Sequence, residues 1–376
     1  MHVALMTYWF TWRQRPHHFA AVARGMGNVV TVYSNRSVAN LLANVGNSLV
    51  HRSHISSADS TRVRSNCLLP SPRFDRVPFA TTLNAIQRRR LLDQFTSSEA
   101  DVHVFAGVPS EALVRKPACL VYDCMDDWSD FPSLPQSVVE NERRICQMAD
   151  RIWVVSQAIY GKLAPEFGSK LEYVPNGVDY EHFAVVPSLR AAHPRPVLGY
   201  VGTLHSWFDA QLVAGVADSL PDWDVALVGP IVLSSEQRQM LDRPNISFLG
   251  RQPYELLPTI LASFDVAMIP FVLSDLVKGT SPIKLYEYLA AGLPVVSTSM
   301  PEVLDLSEPG VVVCTDDPRV FRQSVLDLRD ANTQRAIERR QAIARCHTWQ
   351  ARFEAALAGL GPVPSREPLC ATNTIR

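Results

Sequence analysis

Lys284 and Glu287 lie one helical turn apart in the stretch Lys278-Gly-Thr-Ser-Pro-Ile-Lys-Leu-Tyr-Glu-Tyr-Leu-Ala-Ala-Gly-Leu-Pro-Val-Val296. Gly279–Pro282 reads as a loop entering a helix, with Ser281 as N-cap and Pro282 at the first helical position, where a missing N–H costs nothing. Ile283, Leu285, Tyr286 and Leu289 give the helix an apolar face, Ala290-Ala291-Gly292 closes it, and Leu293–Val296 starts a buried strand. Lys284 then falls in the first turn, where the macrodipole disfavours a cation. A bound anion removes that conflict. Loop N–H groups and Lys284 could hold a phosphate. Glu287 shares the Lys284 face, and a carboxylate there could accept both hydroxyls of a ribose. The plain alternative is a solvated Lys–Glu pair on a surface helix.

These residues need elements to position them. From the N-terminus, strands are expected at His2–Thr7, Val29–Tyr33, Val102–Ala106, Leu120–Asp123, Arg151–Val155 and Leu171–Val174. Helices are expected at Pro16–Gly25, Leu83–Phe95 and Val138–Ala149, while residues 36–80 read as irregular, with weak strands. Residues 184–196 carry three prolines and no periodicity, and read as a linker. The alternation then restarts, with strands at Val197–Val201, Asp224–Val228, Ile246–Phe248, Val266–Ile269, Val295–Ser297 and Val311–Val313, and helices between them. Helices at about 333–345 and 348–359 follow, and a Pro-rich tail after Gly361 reads as disordered. The implied fold class is α/β: two doubly wound domains in tandem, with ligands in the cleft beyond the carboxyl ends of the strands. A dinucleotide-binding fold is disfavoured. The first βα turn, Tyr8–Arg15, has no glycine, and Gly199-Tyr-Val-Gly202 is not GxGxxG.

With 376 residues, 47% hydrophobic and 19% charged, the chain can build two full cores. Its seven cysteines are scattered without a CxxC pair, which suggests a reducing compartment and argues against zinc. No apolar run reaches membrane-spanning length, and Met1–Tyr8 reads as a strand, not a signal peptide. The expected location is therefore cytoplasmic. Charge is uneven. Residues 1–120 carry 14 Lys+Arg against 6 Asp+Glu, whereas residues 121–376 carry 22 against 31. A basic first half suggests an anionic partner, such as a membrane surface, a lipid phosphate or an acidic glycan. Arg88-Arg89-Arg90, on a helix with Leu83, Ile86, Leu91 and Leu92, suggests peripheral docking on anionic lipid. No nucleic-acid-binding pattern appears.

Four segments resemble GT-B glycosyltransferases, specifically bacterial enzymes of capsule, teichuronic acid and exopolysaccharide synthesis. Trp12-Arg-Gln-Arg-Pro-His-His18 resembles their W-x-x-R-P-Q-H opening, and Tyr173-Val-Pro-Asn-Gly-Val-Asp-Tyr-Glu-His-Phe183 their hinge segment. Gly199–Leu204 resembles the glycine-rich strand that opens their donor domain, and Ser281–Val296 their donor motif. The second and fourth matches are specific. Retaining members carry two glutamates with seven residues between them. Glu287 matches the second, but Gly279 stands where the first would be. The xanthan-pathway glucuronosyltransferase, an inverting enzyme, looks similar in this segment.

The resemblance implies an acceptor-binding domain over residues 1–183, a linker over 184–196 and a donor-binding domain over 197–346. It implies a C-terminal helix within 347–361 that packs back toward the first domain, before the tail at 362–376. The activity implied is transfer of a hexose from a nucleotide diphosphate donor, a UDP-sugar, to a lipid-linked or glycan acceptor. No cofactor and no essential metal are expected. Donor contacts would come from Gly202, Thr203, Arg251, Ser281, Lys284 and Glu287. Acceptor contacts would come from Trp12, Arg13, Arg15 and His17, whose loop faces the cleft in this fold. By position, Asp126 would be the base that takes the acceptor proton. Asp123, Asp126, Asp127 and Asp130 cluster there, so a helix-capping acidic loop and a metal-binding DxD are the alternatives. Arg251 could equally be a surface arginine, and the Trp9–His18 aromatics could simply pack under the sheet. Two rival functions share these features. One is a nucleotide-sugar 2-epimerase. The other is a non-catalytic sugar-nucleotide-binding subunit of a glycan assembly complex.

Overall fold

Two runs of alternating strand and helix build two parallel sheets. The computed structural model describes residues 1–8, 14–37, 61–68, 78–131, 134–190 and 194–361. In the first domain, β1 (His2–Tyr8), β2 (Val29–Ser37), β3 (Thr61–Leu68), β4 (Val102–Ala106), β5 (Leu120–Cys124), β6 (Arg151–Val154) and β7 (Leu171–Tyr173) form a seven-stranded sheet ordered β3-β2-β1-β4-β5-β6-β7. In the second, β8 (Val197–Val201), β9 (Asp224–Val228), β10 (Ile246–Gly250), β11 (Val266–Ile269), β12 (Val295–Ser297) and β13 (Val312–Cys314) form a six-stranded sheet ordered β10-β9-β8-β11-β12-β13. The central strands are continuous apolar runs because helices cover both faces. Every residue of β4, β5 and β11 except the buried His103 and Asp123 belongs to the hydrophobic core.

Strand order reverses between β1 and β4, and again between β8 and β11. A crevice opens beyond the carboxyl ends of the strands at each such point. The two domains meet there, through the segment after β7 and through the helix Trp349–Ala358, which returns to the first domain. His18 stacks on Trp349 at 4.8 Å, and Phe353 packs edge-on against Phe19 at 5.0 Å. The crossover is tight. A Cβ on Gly177 would meet the His347 carbonyl oxygen and the Trp349 nitrogen at 2.9 Å.

Two expectations change. The segment 36–80 contains a full strand, β3, paired with β2 from Val30–Thr61 to Ser37–Leu68. It is an edge strand and exposes Arg62 and Arg64, so it lacks the apolar run that marks the central strands. The stretch 184–196 begins with a short helix, Val186–Leu189, and Val186 is fully buried beside Phe183. The tail 362–376 lies outside the described residues.

Candidate active site

Lys284 stands at the switch point of the second sheet. Its helix, Ile283–Ala290, has Pro282 as N-cap, no capping side chain and no acid in its first turn. The positive end of the dipole is therefore left open beside a cation. The side chain passes the end of β8: a Cβ on Gly202 would lie 3.0 Å from Lys284 Cε. The ammonium rests over the rings of Phe271, at 4.6 Å, and Tyr200, at 5.6 Å. Burial lowers its pKa to about 8, although Glu287 pulls the other way. Burial likewise raises the Glu287 carboxyl to about 7, with Lys284 opposing and Asp179 adding. A desolvated cation over two rings, with no carboxylate within ion-pair distance among the described residues, is suited to an incoming anion.

Backbone packing holds this arrangement. Tyr288, on the same helix, accepts a 2.7 Å hydrogen bond from the Val201 nitrogen, pinning the helix to the end of β8. The Tyr200 hydroxyl donates to the Thr203 carbonyl at 3.0 Å and shapes the turn after that strand. Gly202 and Gly229 have φ of 152° and 140°, and a Cβ on Gly229 would come within 2.0 Å of the Gly202 carbonyl oxygen. The loops after β8 and β9 can touch only because neither residue has a side chain. Gly229→Ala is expected to push them apart, lowering Tm and weakening ligand binding at Lys284 together. Thermal shift with and without UDP measures both.

In the first domain, the end of β5 and the loop after it carry four carboxylates with different employment. Asp123 is buried against Arg15, with Oδ1 2.8 Å from Nη2. Asp127 caps the turn Trp128–Asp130, accepting from the Ser129 nitrogen, and pairs with Lys162 of the helix Gln157–Phe167. Asp130 is raised by burial and by Asp127, and it also feels Asp275 of the other domain. Among the described residues, Asp126 has no side-chain hydrogen bond or ion pair. Burial, then Asp127, pushes it up to about 7. An unattached carboxyl with a pKa near neutrality fits a general base.

Residues 195–330 match the glycosyl transferases group 1 family. The protein named as teichuronic acid biosynthesis glycosyltransferase TuaH, of Bacillus subtilis (strain 168), is 28% identical over 293 residues, covering 70% of this chain and 73% of that protein. A GDP-mannose-dependent monoacylated alpha-(1-6)-phosphatidylinositol monomannoside mannosyltransferase of Corynebacterium glutamicum is 25% identical over 292 residues, covering 70% and 75%. Among solved structures, Anabaena HepE in complex with UDP superposes with a TM-score of 0.64 at 15% identity, covering 96% of this chain and 99% of that one. This chain is a GT-B glycosyltransferase.

Within this glycosyltransferase, the expected site residues fall into three groups. Lys284, Glu287, Gly202 and Thr203 gather at the end of β8, and Asp126 lies two residues beyond the end of β5. Arg251 follows β10 and is exposed. Trp12 and Arg13 lie outside the described residues. The third group is corrected. Ser281 is not the N-cap, because the helix starts one residue later than expected. It is 2% exposed, with its hydroxyl accepting from the Asn176 nitrogen at 3.3 Å and its carbonyl from Asn176 Nδ2 at 2.7 Å. Arg15, expected at the acceptor, is 2% exposed and committed to Asp123, the Pro175 carbonyl and Asn176. His17 turns its Nδ1 back to accept from the Gln14 nitrogen and closes a capping box. Asp123, Arg15, Asn176 and Ser281 thus form one hydrogen-bonded chain from β5, through the segment after β7, to the entry of the Lys284 helix.

Sequence inspection missed Gly229, the aromatic floor of Tyr200 and Phe271, and a second interdomain contact. Glu302, 3% exposed in the second domain, accepts from the Gln157 nitrogen at 2.8 Å and from the Tyr173 hydroxyl at 2.5 Å. Gly229-Pro230 directly after a strand was a visible signal for the first of these. The others had none.

Proposed function

We propose that this glycosyltransferase moves a hexose from a nucleoside diphosphate donor, UDP-linked, to a lipid-linked or glycan acceptor in surface-polysaccharide synthesis, with inversion and without an essential metal. The observation that carries it is Lys284: a desolvated ammonium with no carboxylate within ion-pair distance among the described residues, at the open N-terminus of a helix, over two rings. A diphosphate leaving group would take both the ammonium and the helix N–H groups, which hold charge as it develops. Glu287, one turn on, would accept the ribose hydroxyls. Asp126 would take the acceptor proton as the acceptor oxygen attacks the anomeric carbon and the electron pair of the breaking bond passes to the diphosphate. The TuaH name supports a surface polymer, the UDP in the HepE complex supports the nucleotide, and the phosphatidylinositol monomannoside in the mannosyltransferase name supports a lipid-linked acceptor.

The test is incubation with a panel of nucleotide sugars, with and without bacterial lipid extract, in the presence of a chelator. Slow release of nucleoside diphosphate, accelerated by extract and unaffected by the chelator, is the expected result. Interconversion of the sugar would indicate an epimerase instead, and binding without turnover a non-catalytic subunit. The pH profile follows from the two groups. Asp126 must be ionised, so kcat/KM rises as pH passes about 7. Lys284 must be protonated, so it falls as pH passes about 8. A narrow bell near neutrality is expected in initial-rate measurements.

Membrane docking belongs to the same proposal in modified form. No described helix is long and apolar enough to cross a membrane. In the helix Pro78–Thr96, Leu91 and Leu92 face the core and Arg88 pairs with Glu111, so they form no lipid-facing stripe. Arg89, Arg90 and Ile86, which are exposed, remain for a salt-sensitive peripheral contact.

A further inference from the structure

Beneath the Asp126 loop lies a buried acid that takes no part in the proposed transfer. Glu142, on the helix Gln136–Met148, is 9% exposed, and no cation is within ion-pair distance of it among the described residues. Its Oε1 accepts the Tyr122 hydroxyl at 2.8 Å and lies 3.6 Å from Cys124 Sγ. The same Tyr122 oxygen accepts the Trp128 indole N–H at 2.9 Å. Cys124 Sγ is also 3.5 Å from the carbonyl oxygen of Asp126 itself. Tyr122 and Cys124 belong to the strand before Asp126, and Trp128 to the turn after it. One carboxylate oxygen therefore ties both ends of the loop to a single point.

An uncompensated buried carboxyl is costly, and an apolar side chain would fill this space more cheaply. What an apolar residue could not do is fix the direction of the Tyr122 O–H. With that proton pointed at Glu142, the lone pairs of the hydroxyl face Trp128. We propose that Glu142 is a positioning residue for glycosyl transfer: through Tyr122, Trp128 and Cys124 it holds the 125–127 loop so that Asp126 stays at a fixed, water-poor place. This rests on Asp126 being the base. The other charged groups around that loop are Asp127 within it, Asp130 in the turn that follows, Lys162 on the helix Gln157–Phe167, and Asp275 of the other domain.

The experiment compares Glu142→Leu with Glu142→Gln, whose amide oxygen can still accept from Tyr122. Steady-state kinetics are combined with hydrogen exchange of the 124–131 backbone. For Glu142→Leu, kcat is expected to fall roughly ten- to a hundredfold, with UDP affinity within about twofold of wild type. Exchange over 124–131 should quicken. The acid limb of the pH profile should move to lower pH, because water reaching Asp126 removes the desolvation that raises it. Glu142→Gln should recover most of kcat. If Glu142→Leu folds poorly, Tyr122→Phe and Trp128→Phe remove the same links with smaller changes and should give the same pattern. Unchanged kcat and exchange in Glu142→Leu would overturn the proposal. So would Glu142→Gln behaving like Glu142→Leu, or a matched loss of kcat and UDP affinity with no change in exchange. Asp126→Asn run alongside separates the two claims. If it stays active the base assignment fails, while the exchange data still decide whether Glu142 holds the loop.

Discussion

Asp126→Asn is expected to reduce glycosyl transfer at least about a hundredfold while leaving nucleoside diphosphate affinity at the wild-type level, because a general base contributes typically 10²–10⁴-fold. The substitution keeps the side-chain volume and removes only the ability to take a proton. Among the described residues Asp126 has no side-chain hydrogen bond or ion pair to lose, so the fold should be indifferent. Its neighbours should behave differently, each for a reason visible in its contacts. Asp123→Asn breaks a buried ion pair with Arg15, and stranding a buried guanidinium costs about 3–5 kcal/mol. Its signature should be a lower Tm and a loosened hinge. Asp127→Asn weakens its pairing with Lys162 and its capping of a short turn, the latter worth about 1 kcal/mol, so most activity should remain. If Asp127→Asn were dead and Asp126→Asn active, the base would have been misassigned within a correct fold. If all three stayed active, inversion itself would have to give way to a retaining path, in which the donor phosphate takes the proton.

Lys284→Ala carries the second large effect. Removing a charged hydrogen-bond donor from a diphosphate should cost roughly 1.5–3 kcal/mol of binding, or about ten- to 150-fold in Kd. Little stability should be lost. Lys284 makes no hydrogen bond or ion pair among the described residues, and its ammonium is held against its preference for water by Tyr200 and Phe271. Tm without ligand should therefore stay level or rise, while the increase in Tm that UDP produces should shrink. Glu287→Gln should spare pyrophosphate and weaken UDP. Equal affinity of wild type and Lys284→Ala for UDP and GDP in calorimetry would remove Lys284 from the donor site.

Much of this was legible in the residues themselves. The Lys284 helix announced itself through its proline entry, its apolar periodicity and Gly292, which takes φ of 70° just past the C-cap Ala291. The two sheets were legible because their central strands are buried on both faces. The exposed edge strand β3 was not, because it lacks that apolar run. The corrections at Arg15 and Ser281 share one cause. Arg15 meets Asp123 across 108 positions and Asn176 meets Ser281 across 105, so local pattern could not show that these polar side chains are committed to one another. The four aspartates were likewise indistinguishable by type. Only the ion pairs of Asp123 and Asp127, with the Ser129 hydrogen bond of Asp130, set those three apart from Asp126. Glu142 looked like an ordinary polar residue of an amphipathic helix, and its burial is purely a product of the packing.

The central claim is a diphosphate grip built from Lys284 and the open N-terminus of its helix. Calorimetric titration of wild type and Lys284→Ala with UDP, GDP, uridine and guanosine tests it most directly. At least one diphosphate should bind wild type ten or more times as tightly as its nucleoside, and that advantage should largely vanish in Lys284→Ala. A wild-type protein that binds neither diphosphate better than its nucleoside would contradict the account.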